Sequence, residues 1–208
     1  NFLGIDPTRD WIPVRPAQHY SMGGIRTDPS GQSPQLRGLF ACGEAACWDL
    51  HGFNRLGGNS VAETVVAGMI VGESIADWCE GAGAGGSVPM GLVREHWERV
   101  RGELAAILGR GSGESATQLM AQMQRVMGDH VCVFRSGPVL QLALEELQAL
   151  LMRSARLAVR SASPGVNPEL VDAYRVRRML RLALCVVAGA LARTESRGAH
   201  FREDHPRR

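Results

Sequence analysis

The sequence predicts an α+β chain, with short strands and one buried helix in its first part and a helical bundle in its second. Three observations carry that reading. Prolines at 7, 13, 16 and 29 and glycine pairs at 23–24 and 57–58 break up the first 60 residues, so the apolar runs between them are strand-length at most. A stretch starting near Ser60 then spreads Val61, Val65, Ala67, Met69, Ile70, Val71 and Ile75 around most of a helical circumference, as in a helix buried on several sides. After Pro89 the prolines thin out and helical periodicity takes over.

In chain order, residues 1–16 should be extended loop with at most a short strand over 12–15, because prolines cannot donate to a sheet. A second short strand is expected over 25–27, ended by the turn residues Asp28-Pro29-Ser30-Gly31. The run Gly-Leu-Phe-Ala-Cys over 38–42 reads as a buried strand. Asn59 and Ser60 stand where N-caps stand, so a helix should begin near Ser60 and run to about Trp78. Ala67, Gly68 and Gly72 would let a neighbour approach it closely. The run GAGAGG over 81–86 lacks the Lys-Ser and the preceding strand of a phosphate loop, so it reads as a flexible linker. Helices are expected over 91–108, 115–127 and 137–157. A fourth is opened by Asn167 as N-cap with Pro168 in the first helical position, and runs to about 194. The last two, joined by the loop 161–166, should pack antiparallel, with the shorter ones closing a bundle. The expected domains are 1–80, a linker over 81–89, a bundle over 90–195 and an irregular tail over 196–208.

Bulk properties exclude several classes. The net charge is +2 with 21% charged residues, so nothing electrostatic calls for nucleic acid, and the arginines of the last third read as a solvated helical face. Five cysteines, an odd number at irregular spacing, argue against a disulfide framework. Cys42 and Cys47 could suggest a metal pair, but no second pair completes a zinc or iron–sulfur set, so they read as buried small thiols and no metal is expected. No apolar run approaches the roughly 20 residues that span a bilayer, and a soluble chain is expected. Asn1 stands first, and the chain enters at once on motif-bearing sequence, as would a piece of a longer protein.

Three polar turns stand out. In HGFNRLGGNSVAETVVAG, from His51 to Gly68, a double glycine leads into the apolar helix, whose positive dipole end and unpaired N–H groups suit an electron-rich oxygen, with Arg55 beside them. The plainer alternative is a glycine-rich turn with Arg55 in an ordinary salt bridge. Upstream, IPVRPAQHYSMGGI places His19 before another double glycine, and CGEAAC places Glu44 after the expected strand. Three such turns within 60 residues suggest one site.

These stretches resemble the flavoprotein subunits of fumarate reductases and succinate dehydrogenases. That family carries P-x-x-H-Y-[TS]-M-G-G-[IV], then G-L-[FY]-A-x-G-E, then H-G-x-N-R-L-G-G-N-S, and the tail SRGAHFREDHP also looks like its ending. The resemblance implies the C-terminal piece of an FAD-binding, Rossmann-like domain followed by the helical part. It implies FAD as cofactor, with Glu44 on the ribityl chain and Ser60, Val61 and more weakly Asn59 meeting the flavin ring. It implies that His19 and Arg55 bind the carboxylates of fumarate or succinate, Arg55 as a planar fork and His19 as a ring N–H donor. The reaction would be hydride exchange with FAD, the electrons passing to or from an iron–sulfur partner, with a membrane anchor subunit beyond it. The place would be cytoplasmic, peripheral on the membrane. No catalytic residue is expected within these 208 residues, because the family's proton-transfer arginine, like its Gly-rich dinucleotide fingerprint, belongs to sequence upstream of Asn1, so the chain by itself should be inactive. Phe53 and Ala62-Glu63 depart from the common Ala and Leu-Asp and leave the branch open. Two rivals stand beside this reading. One is L-aspartate oxidase, which typically has C-G-G at Met22-Gly23-Gly24 and R-L-A-S-N-S at 55–60. The other is a non-catalytic helical interaction module over 90–208. The tail is expected to fold back on the flavin-side domain or on the iron–sulfur partner.

Overall fold

A computed structural model describes residues 4–13, 19–81, 89–163 and 165–207. The chain divides into two compact units, Asn1–Gly86 and Ser87–Arg208. Most of the expected linker 81–89, and Val14 and Arg15 of the first expected strand, lie outside the described residues; Ile12 and Pro13 are irregular.

In the first unit β1 (Ile25–Arg26) pairs in parallel with β2 (Ala46–Cys47), Ile25 opposite Ala46. The turn after β1 forms as its residues dictate: Asp28 Oδ1 accepts from Ser30 Oγ at 2.6 Å, Ser30 N at 2.9 Å and Gln32 N at 3.1 Å. The expected strand over 38–42 does not form. Gly38 and Gly43 both take positive φ, 82° and 62°, and between them only Phe40 makes an isolated bridge, to Gln32. Too few residues lie between two left-handed glycines to build a ladder, and the chain turns instead into a 3-10 turn at Gly43–Ala45.

Helix α1 (Asn59–Glu80) is capped by neither Asn59 nor Ser60. Gly58, at φ 84°, is the N-cap residue, and no side chain caps the helix. Its inward stripe is Glu63, Ala67 and Val71, spaced by four so that they lie on one face. That face rests on the preceding loop. A Cβ on Gly31 would collide with the Val71 side chain, and Trp78 meets Phe40 edge to face at 6.2 Å. Burial on several sides, expected from the apolar circumference, is not met within this chain, where Val61, Val65, Val66 and Met69 are exposed.

The second unit contains α2 (Met90–Leu108), α3 (Ala116–His130), α4 (Gly137–Arg153) and α5 (Pro168–Ala192), plus β3 (Phe134–Arg135) paired in parallel with β4 (Phe201–Arg202). Leu119, Leu140, Leu147, Leu157, Val176, Leu180 and Val187 are almost wholly buried and form the core between α3, α4 and α5. Two helix starts are side-chain capped: Ser115 accepts from Gln118 N at 3.4 Å, and Asn167 from Leu170 N at 3.1 Å, with Pro168 next. Helix α4 stops at Arg153, short of the expected 157. A 3-10 turn at Ser154–Arg156 follows, and the backbone then pairs with Glu114, which donates to Arg156 O at 2.8 Å and accepts from Ala158 N at 3.1 Å.

The tail is irregular apart from β4 and is fastened within the helical unit. Buried Arg202 donates through Nη1 to Ala190 O and Leu191 O at 3.1 Å and Arg193 O at 3.0 Å, while its neighbour Asp204 accepts from Gly137 N at 2.8 Å. The end of α5 is thereby fastened beside the start of α4, so the two helices run antiparallel. The cysteines are free thiols: Cys42 and Cys47, expected to be buried, are half-buried, and Cys79, Cys132 and Cys185 are exposed.

Candidate functional site

The site is assembled in the first unit by β1, β2 and the start of α1. Gly24, at φ 127°, lies so close to the 3-10 turn that a Cβ there would run into the Ala45 carbonyl. This contact brings the 19–24 segment against Glu44, whose Oε1 accepts from Ser21 N at 2.8 Å. Glu44 sits in that turn and not at a strand end, and its Oε2 makes no hydrogen bond among the described residues. Gly43 packs its turn on α1, with an added Cβ only 3.1 Å from Thr64 Oγ1.

Beneath this turn lies a carboxylate that sequence reasoning passed over. Glu63, on the inward stripe of α1, is 6% exposed and takes three side-chain partners: Tyr20 OH donates to Oε2 at 3.0 Å, Trp48 Nε1 donates to Oε1 at 2.8 Å, and His51 Nε2 lies 2.6 Å from Oε2. Burial disfavours its charged form, but the bonds from Trp48, His51 and Tyr20 outweigh that and hold the carboxyl below its ordinary range. The same cluster pushes the Tyr20 phenol up, first through burial and then through its bond to Glu63. The Tyr20 and His51 rings meet edge to face at 5.3 Å.

Arg55 lies on top of this cluster. Its guanidinium carbon is 4.9 Å from the centre of the Tyr20 ring, and Nη1 donates to Leu56 O at 2.9 Å. Arg55 Nε is shielded from solvent and has no partner among the described residues, nor does any acid pair with the guanidinium there. The salt bridge of the plainer reading is therefore not what holds Arg55; a ring face is. His19, next in sequence to Tyr20, is exposed, and among the described residues no hydrogen bond or ion pair joins it to Arg55. The structure thus groups Arg55 with Tyr20, Trp48, His51 and Glu63, and joins Glu44 to the neighbouring 19–24 segment.

The start of α1 follows Arg55 directly. Asn59 and Val61 are exposed and Ser60 is half-buried; the Asn59 amide donates to Leu56 O at 3.2 Å, and among the described residues no side chain caps the Ser60 and Val61 amides, which suit an outside acceptor. An uncapped helix start, a free carboxylate oxygen on Glu44 and a cation with no acid beside it suit a flat, electron-rich ring with hydroxyls and an anion next to it. No group of three His, Cys, Asp or Glu able to hold a metal occurs among the described residues, and no helix there is long and apolar enough to cross a membrane.

Comparison with known proteins points the same way. The family model described as the fumarate reductase flavoprotein C-terminus matches residues 120–208, and that of an FAD binding domain matches residues 1–61. A fumarate reductase flavoprotein subunit of Helicobacter pylori is 50% identical over 200 residues, covering 96% of this chain and 28% of its own length. A mitochondrial succinate dehydrogenase flavoprotein subunit of Xenopus laevis is 36% identical over 214 residues, covering 98% of this chain and 31% of its own. Among solved structures, a variant of Escherichia coli quinol fumarate reductase superposes over 100% of this chain and 35% of its own, with a TM-score of 0.87 at 33% identity. The chain spans about a third of the length of the relatives it matches.

Proposed function

Because this chain belongs to the fumarate reductase and succinate dehydrogenase flavoprotein family and carries part of its FAD-binding domain, we propose that it forms the C-terminal part of a subunit interconverting fumarate and succinate. The observation that carries the reading is Arg55, a cation held by the face of Tyr20 and left without an acid at the mouth of an uncapped helix. Its in-plane N–H donors suit the carboxylate of a C4 dicarboxylate, and His19 serves the second carboxylate. Glu44 would hold the ribityl chain through its carboxylate and Asn59, Ser60 and Val61 would meet the flavin ring, where the helix dipole would support negative charge. Bound FAD supplies hydride exchange with the central carbons of the substrate. Arg55 and His19 orient those carbons and polarise the substrate, and the proton comes from a residue outside these 208.

In this reading residues 1–80 complete the flavin and substrate domain, 81–89 link it to the helical domain at 90–195, and the tail 196–208 closes that domain. Electrons pass to or from an iron–sulfur subunit, and any seat at the cytoplasmic membrane comes through partner subunits. Of the two rivals, L-aspartate oxidase is disfavoured by Met22 and by Gly57-Gly58. Turnover of succinate against L-aspartate separates the two enzymes.

The test is Arg55→Lys in the full-length, flavin-bearing protein. Lysine keeps the charge but loses the paired planar donors and the flat contact with Tyr20. Losing a charge-assisted bond costs roughly 1.5–3 kcal/mol, so turnover should fall at least about tenfold. Flavin content should stay near normal, because Glu44 and the α1 start are untouched. Near-normal turnover overturns the assignment.

A further inference from the structure

We propose that Glu63 is a positioning residue for the dicarboxylate: through Tyr20, its buried carboxylate fixes the ring on which the Arg55 guanidinium rests. This rests on the reading of Arg55 as a carboxylate ligand. The geometry solves a specific problem. A substrate-binding arginine must be held rigidly, yet a carboxylate placed on its N–H edge would consume the donors the substrate needs. A ring under the guanidinium plane holds it from the face and leaves the edge open. Arg55 sits over that ring with its guanidinium carbon 4.9 Å from the Tyr20 centroid; Nη1 donates to Leu56 O and Nε is shielded from solvent, so among the described residues Nη2 is the donor left uncommitted on the outer end.

The ring must itself be fixed, and Glu63 does this. Tyr20 is 8% exposed and its hydroxyl ends on Glu63 Oε2 at 3.0 Å, so the ring cannot slide along its own axis without breaking a buried bond to a charged acceptor. Trp48 and His51, from the loop between β2 and α1, bond the same carboxylate from other sides and stop it from turning away. A phenol that donates to a carboxylate also has a more electron-rich ring, which strengthens its attraction for the cation above. Glu63 thus acts on Arg55 at one remove, with no direct ion pair between them.

Tyr20→Phe in the full-length, FAD-loaded protein decides the matter, because it keeps the ring and its packing and removes only the tether. The readouts are flavin content and the affinity for malonate, an unreactive dicarboxylate, followed by the change in flavin absorbance. The expected result is unchanged flavin content with malonate affinity weakened by about 5- to 10-fold. Glu63→Gln should weaken affinity in the same direction, and the double variant should be no weaker than the more affected of the two single variants, since both act along one path. KM for the dicarboxylate should rise more than kcat falls. A purely structural acid would instead cost flavin or folding and leave the affinity of the flavin-loaded fraction unchanged. Tyr20→Phe with wild-type malonate affinity, or with lost flavin, overturns the proposal. Failure of the wild-type protein to bind malonate at all would sink the parent reading of Arg55 instead, so the two failures are distinguishable.

Discussion

Arg202 offers the sharpest test of how the helical unit is held. It is 2% exposed and sits two residues before Asp204, and between them they fasten two helix ends. The guanidinium donates to Ala190 O, Leu191 O and Arg193 O, carbonyls at the end of α5 that have no partner one turn further on. Its Nε and Nη2 fork the Asp204 carboxylate at 2.8 Å and 2.7 Å, and that carboxylate accepts from the amide of Gly137, the first residue of α4. Positive charge thus stands at a helix C-terminus and negative charge at an N-terminus, each where the dipole favours it. Arg202→Gln removes the fork and takes the guanidinium from the Ala190 and Leu191 carbonyls, while Asp204 keeps the Gly137 amide and Arg193 O keeps the His200 ring nitrogen. Asp204 is itself exposed, so the cost lies with the Ala190 and Leu191 carbonyls, where a buried acceptor left without its donor costs about 1–3 kcal/mol. For a domain of this size that lowers the melting temperature by roughly 4–12 °C. Circular dichroism of the 208-residue chain, dominated by α2–α5, reads the loss directly. An unchanged melting temperature would show that water replaces Arg202 at those carbonyls and that the tail is dispensable for the bundle.

Two further outcomes follow from the same structure. Asp204 is held far below the ordinary carboxylate range, first by Arg202 and also by Gly137 N, so its contribution is complete above its unfolded value and is lost as pH falls through the folded one. The melting gap between wild type and Asp204→Asn should therefore be constant above about pH 5 and shrink below about pH 4, and a gap that grows in acid would contradict this. In the glycine pair before α1, Gly58 sits at φ 84° with open space around it while Gly57 has no positive φ, so Gly58→Ala should cost about 1 kcal/mol and Gly57→Ala close to nothing in chemical denaturation of the 208-residue chain.

The helices were legible because each carried its own signals. Asn167-Pro168 and Ser115 mark helix starts by local chemistry, and both do cap in the structure. What was not legible depended on partners remote in sequence. The 38–42 run has a strand's composition, but a strand needs a neighbour at the right register, and two left-handed glycines deny it one. The end of α4 is decided by Glu114, some forty residues earlier, whose carboxylate bonds Arg153 and whose backbone pairs with Arg156 and Ala158. The burial of α1 was overestimated because an apolar circumference says what a helix could bury, not which elements this chain brings to it.

The site shows the same division in a form that bears on mechanism. Arg55, His19 and Glu44 were readable from their motifs, since residues that face a ligand stand in short polar turns and announce their own chemistry. Glu63 stands inside an apolar helix and looked only like a departure from the family's usual residue. One signal could have found it: Glu63, Ala67 and Val71 recur at intervals of four, so the acid falls on the one stripe that packs inward, and a carboxylate on such a stripe must find donors or lose its charge. Its donors are Tyr20, Trp48 and His51, and two of these flank motif residues by one position or a few: Tyr20 follows His19, and His51 precedes Arg55 by four. The motif thus encodes two layers at once, the side chains aimed outward at a ligand and, interleaved with them, the side chains aimed inward at one carboxylate. A substitution in the inward layer should therefore be felt at Arg55 before it is felt in the fold.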